Sequence, residues 1–290
     1  MPRILLTGFE PFGEHKTNVS QEILERIESN FEITDPWSDF RPISSADIAD
    51  VTVEKILLRV DESGSNVVAK KVENNESWDL IIHMGLCDSC EFIRFELVAR
   101  NKIDMKIPDN SGRQLTNELI GESNLSCDKS FVKLLKHPPI ENLVLSNDAG
   151  TYLCNETYYR TLQSLSKVSF EESSKACFIH FPSKDKITVQ ESIITLKNVI
   201  SRNFFKPVID VVGALVIKDD KIMLAKRNSS SEMPGLWEFP GGKIEQGESK
   251  FDAIIREMDE EFCWDVSPTR IVTSMYHESV SYTHLRAHET

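Results

Sequence analysis

The chain has 290 residues, 40% of them hydrophobic and 27% charged, with a formal net charge of -13. That length suits two domains better than one core, and the composition excludes disordered and fibrous classes. The acidic balance argues against a general nucleic-acid binder, because phosphate backbones reward Lys and Arg; a nucleotide reached through a divalent metal stays open.

The chain begins Met1-Pro2-Arg3-Ile4-Leu5-Leu6, too short an apolar stretch for an export signal, and no run approaches the roughly 18 apolar residues of a membrane span. A cytoplasmic protein is therefore expected, its cysteines at 87, 90, 127, 154, 177 and 263 mostly reduced. Arg3–Thr7 opens as a short apolar strand, followed by a helical pattern at Ser20–Ile27 and a second strand at Asp79–Met84. Ser130–Leu135 reads as a helix, Asn142–Ser146 as a strand, and Asn155–Leu165 as a helix. A strand at Ala176–Phe181 and a helix at Val189–Ile200 follow. This alternation predicts an α/β fold of three layers, a mostly parallel sheet with helices on both faces. Catalytic groups in such sheets collect at the carboxyl ends of strands.

The pattern changes around Ser201–Pro207, which sets a domain boundary near residue 205. Val211–Ile217, Asp219-Asp220 and Lys221–Lys226 then read as a hairpin. A Gly/Pro-rich loop over Met233–Gly242 leads to a helix from Ser249 to Phe262 and a last strand at Arg270–Tyr276. A second, smaller α/β domain is expected over residues 206–279.

Cys154 follows the strand Asn142–Ser146 and a small-residue turn, where a helix opens at or just after the cysteine. Unpaired N–H groups and the positive end of a helix dipole stabilise a thiolate there, and the same groups can hold an oxyanion. Taken alone, a cysteine in this place is more often a small buried hydrophobe. His180 shifts the balance: it ends an apolar strand, so it should emerge at the same sheet edge and can deprotonate the thiol. Glu96 is the candidate for orienting the imidazole, with a solvated surface carboxylate as the alternative.

Four blocks stand in a fixed order: Leu6-Thr7-Gly8-Phe9-Glu10-Pro11-Phe12-Gly13, then Glu96–Asn101 with Ile107-Pro108-Asp109-Asn110, then Ala149–Asn155, then Phe178–Pro182. In that order they resemble pyroglutamyl peptidase I, across about residues 3–204. The resemblance implies a cysteine peptidase that removes N-terminal pyroglutamate from peptides without a cofactor. It assigns Cys154, His180 and Glu96 to the triad and makes Phe9 and Phe12 walls of an apolar pocket for the uncharged lactam ring. A homo-oligomer is compatible with it. Gly85–Cys90 lacks the expected Gly-Gly-Arg run, Leu97 stands where Arg is usual, and Lys106 stands where Arg is common. These departures bear on affinity and subunit contacts, and they leave open a non-catalytic lactam- or peptide-binding module. Cys87-x-x-Cys90 lacks a second ligand pair, so no metal site is expected there.

Farther on, Gly242, Glu248 and Arg256-Glu257-Met258-Asp259-Glu260-Glu261 carry the spacing Gly-x5-Glu-x7-Arg-Glu. Glu257, Glu260 and Glu261 share one helix face, where mutual repulsion favours a hard cation, Mg2+ or Mn2+. Arg256 can hold a neighbouring carboxylate, and Phe251, Ile254, Ile255, Met258 and Phe262 form a core stripe. The pattern resembles the Nudix box, and Met233–Gly242 resembles the oxidised-nucleotide (MutT-like) branch. That resemblance implies a nucleoside triphosphate substrate, with Lys226 and Arg227 toward its phosphates. Cys263 stands where the box places a left-handed Gly. Residues 280–290 read as a translated sequencing-library adaptor, so His284 and His288 are discounted as a metal pair. The natural sequence is then expected to break off near Glu278, leaving about half a typical domain and no nucleotide hydrolysis by the chain as it stands. Two genes joined by misassembly would give the same pattern.

Overall fold

The computed structural model describes residues 1–41, 48–136, 139–168, 174–228, 234–245 and 247–275. The adaptor-like tail, Met233 and Tyr276 lie outside the described residues. The chain divides into two compact units, Met1–Pro36 with Ala46–Phe205, and Trp37–Ser45 with Lys206–Thr290. Among the described residues no helix is long and apolar enough to cross a membrane.

In the first unit the chain runs β1 (Arg3–Phe9), α1 (Val19–Arg26), β2 (Asn30–Thr34), β3 (Ile48–Leu58), α2 (Glu62–Ser65), α3 (Val67–Glu73) and β4 (Leu80–Leu86). It continues through β5 (Ile93–Glu96), β6 (Val98–Ala99), β7 (Leu125–Ser126), α4 (Ser130–Lys136), β8 (Leu143–Ser146), α5 (Leu153–Leu165), β9 (Lys175–Phe181) and α6 (Val189–Phe204). Seven strands form one sheet in the order β2-β3-β1-β4-β9-β5-β8. Pairings β1–β3, β1–β4, β4–β9 and β5–β8 are parallel, whereas β2–β3 and β5–β9 are antiparallel. The fold is thus α/β with a mostly parallel sheet.

Strand alternation divides the core between two helical layers. Leu5, Ile81 and Ala176 pack with Val68 and Val72 of α3 and Leu165 of α5. Their neighbours Ile4, Leu6, Leu80 and Ile82 join Ile23 and Leu24 of α1 and Leu196 and Val199 of α6. Helix α6 starts in a capping box, Thr188 accepting from the Glu191 N–H while the Glu191 carboxylate accepts from the Thr188 N–H. A buried His83 bridges β4 to both neighbours, with Nδ1 2.8 Å from Thr7 Oγ1 and Nε2 3.0 Å from Thr161 Oγ1 of α5. Burial alone pushes its imidazole down to about 3, so it stays neutral and structural.

The expectation of reduced thiols fails for Cys87 and Cys90, which are joined by a disulfide; Cys127, Cys154, Cys177 and Cys263 are free. The turn after β4 bonds Cys87 N–H to the Phe181 carbonyl and Cys90 N–H to the Cys87 carbonyl. It brings the two Cα atoms to 5.4 Å, within bridging range.

The second unit contains β10 (Val211–Gly213), β11 (Ile217–Lys218), β12 (Lys221–Ile222), β13 (Ala225–Lys226), β14 (Trp237–Glu238), β15 (Gly241–Lys243) and α7 (Lys250–Phe262). The expected hairpin is realised only at its tip. β11 pairs with β12 across Asp219 and Asp220, whose φ values of 50° and 56° fit a two-residue turn of the primed type. Its flanks pair elsewhere, β10 with β15 and β13 with β14, because the Gly/Pro-rich loop folds back between them. The stripe on α7 also departs from expectation: Ala253, Ile254 and Met258 are buried, but Phe251 and Ile255 are 39% and 38% exposed. No strand forms over residues 270–275, where Ile271 and Val272 stay exposed.

Cys263 adopts the left-handed conformation (φ 53°, ψ 39°) that closes α7. A side chain there costs about 1 kcal/mol, offset in part by the chain entropy a glycine loses. Cys263→Gly should therefore raise the stability of the second unit by about 0.5 kcal/mol, read as a higher denaturant midpoint; a lower midpoint contradicts the assignment.

Candidate functional site: a cysteine, a histidine and a buried carboxylate

β9 carries His180 with Gly85 of β4 beside it on one side and Arg94 of β5 on the other. Two residues along β5, Glu96 faces the same side of the sheet, and its Oε1 lies 3.0 Å from His180 Nδ1. Glu96 is fully buried and His180 8% exposed. The other carboxylate oxygen, Oε2, is sealed in without a hydrogen-bond partner, so the acid is committed to one task.

Cys154 is the second residue of α5, which opens one residue before it, and no side chain caps that end of the helix. The expected shared edge with His180 arises differently from the sequence expectation. β8 is parallel to β5 and therefore antiparallel to β9, so its carboxyl end points away from His180. The loop Asn147–Tyr152 returns the chain to His180, held by Thr151 Oγ1 on the Asp104 carbonyl (2.9 Å) and Arg100 on Asp148 (2.9 Å). At the end of this path the sulfur meets Gly85, where a Cβ would stand 2.9 Å from Sγ.

Cys154 lies near enough to His180 to act on the imidazole through hydrogen bonding and charge. Burial pushes the His180 imidazole down, but the hydrogen bonds and charges of Cys154 and Glu96 outweigh burial and raise it to about 9. A sulfur and an imidazole paired in this way can attack a carbonyl and then protonate the departing group.

Side chains around the start of α5 fix this line. Asn155 accepts from the Arg100 N–H (2.7 Å) and donates to the carbonyls of Arg100 and Lys102 (2.9 Å each). Glu156 is gripped by Arg113 (2.6 and 3.2 Å) and by Arg160 (2.7 and 3.1 Å). Arg113 also bonds Asp109 at 3.1 Å. Burial raises the Asp109 carboxyl, yet hydrogen bonds from Ser111 and Arg113 hold it below the usual range.

The same loop reaches the aromatic pair expected to form a pocket. Asn110 donates to Glu10 Oε1 (3.1 Å) and the Pro11 carbonyl (3.0 Å), and Tyr152 Oη donates to the Pro108 carbonyl (3.1 Å). Phe12 lies 5.9 Å from the Tyr152 ring and packs at the edge of the core, whereas Phe9 is 3% exposed inside it.

In the second unit, Arg256 ties the conserved-spacing acids together. It bonds Glu248 at 2.9 and 3.0 Å, Glu257 at 2.9 Å and Glu260 at 3.3 Å. The Glu257 carboxylate lies over Gly242 so closely that a Cβ there would be 2.2 Å from Oε1, so any side chain at 242 would push that carboxylate aside. Burial, then the carboxylates of Glu257, Glu238 and Glu260, hold the Glu261 carboxyl above its ordinary range. Among the described residues no three acidic, His or Cys side chains converge in metal-ligand geometry. The donor set still fits a hard divalent cation, since crowded carboxylates around Glu261 are what such an ion relieves. Glu238 belongs to this crowd and has no signal in the box spacing.

The Pyroglutamyl peptidase family model matches residues 2–201. The chain belongs to the pyroglutamyl peptidase family. Residues 208–289 match the NUDIX domain model. The pyrrolidone-carboxylate peptidase of Thermosipho africanus is 30% identical over 221 residues, 74% of this chain and 93% of that protein. That of Pyrococcus furiosus is 30% identical over 187 residues, 62% of this chain and 80% of that protein. A crystal structure of pyrrolidone carboxyl peptidase from Pyrococcus furiosus aligns with a TM-score of 0.53 and 26% identity, covering 70% of this chain and 98% of that one.

For this pyroglutamyl peptidase, sequence reasoning missed the roles of Arg113, Glu156 and Gly85. Arg113 and Glu156 are 43 residues apart, and no local pattern pairs them. Gly85 was visible only as the start of a departing segment. If its missing Cβ leaves room for the sulfur, Gly85→Ala should slow iodoacetamide alkylation of Cys154 at neutral pH by roughly tenfold or more, since a 1 Å displacement costs that much or more. An unchanged alkylation rate would show that the sulfur does not depend on this gap.

Proposed function

We propose that the first unit hydrolyses the bond after an N-terminal pyroglutamyl residue, with Cys154 as nucleophile, His180 as acid and base, and Glu96 as the orienting acid. One observation carries this reading: a buried imidazole held between a helix-start sulfur and a buried carboxylate. The thiolate adds to the carbonyl carbon, and the negative charge moves to the carbonyl oxygen, where N–H groups at the start of α5 can receive it. His180 gives its proton to the departing amine, leaving a thioester. Water, deprotonated by His180, then releases pyroglutamate and restores the thiol. Phe12 and Tyr152 form the accessible wall against the flat lactam, and Phe9 supports them from the core. The uncharged ring suits such a wall better than an ordinary charged N-terminus.

A pyroglutamyl aminomethylcoumarin assay tests the assignment. Cys154→Ala should abolish release and His180→Ala nearly so, while Glu96→Gln loses less, roughly 100-fold to 10,000-fold. Turnover by Cys154→Ala would refute it. The pH profile gives the sign of the Glu96 effect. In the wild type His180 keeps its proton up to about 9, so activity should fall as pH rises through that value. A neutral amide favours the imidazolium less, so Glu96→Gln should move the alkaline limit to lower pH. A limit that stays in place would remove Glu96 from this role.

For the second unit we infer a site for a divalent metal and a nucleoside triphosphate of the oxidised-nucleotide (MutT-like) type. Glu257, Glu260 and Glu261 would hold Mg2+, with Gly242, Glu248 and Arg256 shaping the site. The ion would neutralise phosphate charge. Mg2+ titrated into the full chain should give a saturable binding heat that Glu260→Gln removes; equal binding by this variant would exclude these ligands.

A further inference from the structure

Arg94 stands in direct antiparallel register with His180, so the two side chains leave the same face of the sheet with their Cβ atoms about 5 Å apart. On its other flank Arg94 pairs with Val144 of the edge strand β8. Val144 is 41% exposed, so this corner of the sheet face is open to solvent. Arg94 is itself half-buried. Among the described residues no hydrogen bond, ion pair or ring contact engages its guanidinium. Glu96, two residues along the same face, gives Oε1 to His180, and its sealed Oε2 is not reached by any donor.

A half-buried guanidinium with no anion is unusual, because Arg owes its place in such positions to paired, forked hydrogen bonds with carboxylate or phosphate. Its location beside His180 favours a particular anion. His180 has Cys154 and Gly85 on its β4 side and Arg94 on its β5 side. The sulfur bonds to the carbonyl carbon, and the carbon–nitrogen bond breaks as His180 protonates the departing nitrogen, which puts the released residue on the His180 side, toward Arg94. In a dipeptide the α-carboxylate is separated from that nitrogen by one carbon, about 2.5–3.5 Å away, within reach of an Arg side chain rooted beside His180.

We propose that Arg94 forms a leaving-side subsite for a carboxylate on the residue that follows pyroglutamate. The inference rests on the peptidase reading above. Two sources carry this chemistry, the free C-terminus of a pyroglutamyl dipeptide and an acidic side chain in that position. The subsite makes the enzyme a scavenger of short or acidic pyroglutamyl peptides rather than an indiscriminate one.

Four substrates separate the cases: pyroglutamyl-alanine, pyroglutamyl-alanine amide, pyroglutamyl-glutamate α-amide with its side-chain carboxylate free, and pyroglutamyl aminomethylcoumarin. The wild-type full chain should show kcat/KM roughly tenfold or more higher for the carboxylate-bearing substrate than for the alanine amide, as expected of a charge-assisted pair. Which of the first and third substrates gains identifies the source. Arg94→Gln should abolish that ratio, and Arg94→Lys, which keeps charge without the fork, should retain part of it. A wild type that cleaves the coumarylamide but shows no carboxylate preference overturns the subsite alone, as does an Arg94→Gln variant with the wild-type ratio. A wild type inert toward all four overturns the peptidase reading and this one with it.

Discussion

A buried imidazole that keeps its proton is the condition on which the catalytic half of this protein depends. Burial works against a charged His180, and nothing in the apolar strand around it supplies compensation. Two partners do: the Glu96 carboxyl group at 3.0 Å from Nδ1 and the sulfur of Cys154. Remove either, and the low dielectric that makes the pair strong makes the remaining charge costly. The mixed sheet serves this arrangement. The antiparallel pairing of β5 with β9 places Glu96 diagonally behind His180, where a carboxylate reaches the inner ring nitrogen.

Precision at the sulfur comes from a different set of contacts. Helix α5 brings Cys154 to the sheet, and its first turn is fastened by Asn155 to the backbone at Arg100 and Lys102 and by Glu156 to Arg113 and Arg160. Glu156 is buried, and its two guanidinium partners satisfy it from both sides, which is what keeps a carboxylate tolerable there. Through Asp109 and Asn110 the same loop grips Glu10 and Pro11. Nucleophile and pocket wall are thereby positioned by one segment.

Much of this was legible in the chain. Apolar runs bounded by small residues marked β1, β4, β8 and β9, and helical periodicity marked α1, α4, α5 and α6, because both signals are local. β3 escaped notice since Asp50, Glu54 and Lys55 interrupt its apolar run, and the four-residue α2 is too short to show a period. Cys154 and His180 stood out at the ends of recognisable elements, and Glu96 through its sequence block. Gly85 and Arg94 did not, because their significance lies in strand register, which pairs residues about 90 positions apart. In the second unit the Arg256–Glu261 spacing was plain, whereas Glu238 joins the carboxylate crowd only through the folding of the loop before β15. The stripe on α7 was over-read: periodicity identifies an apolar face, but only packed neighbours decide how much of it is covered.

The protonation of His180 can be observed directly. A nitrogen-15 NMR titration of the full-length protein, with the His180 resonances assigned by substitution, reports the charge of the ring at each pH. The account predicts an imidazolium at neutral pH that loses its proton near 9 in the wild type. In Cys154→Ala the loss should come at lower pH, because burial is then opposed by Glu96 alone. A wild-type ring that is already neutral below its ordinary midpoint of 6.5 would contradict the account, since burial would then have prevailed over both partners.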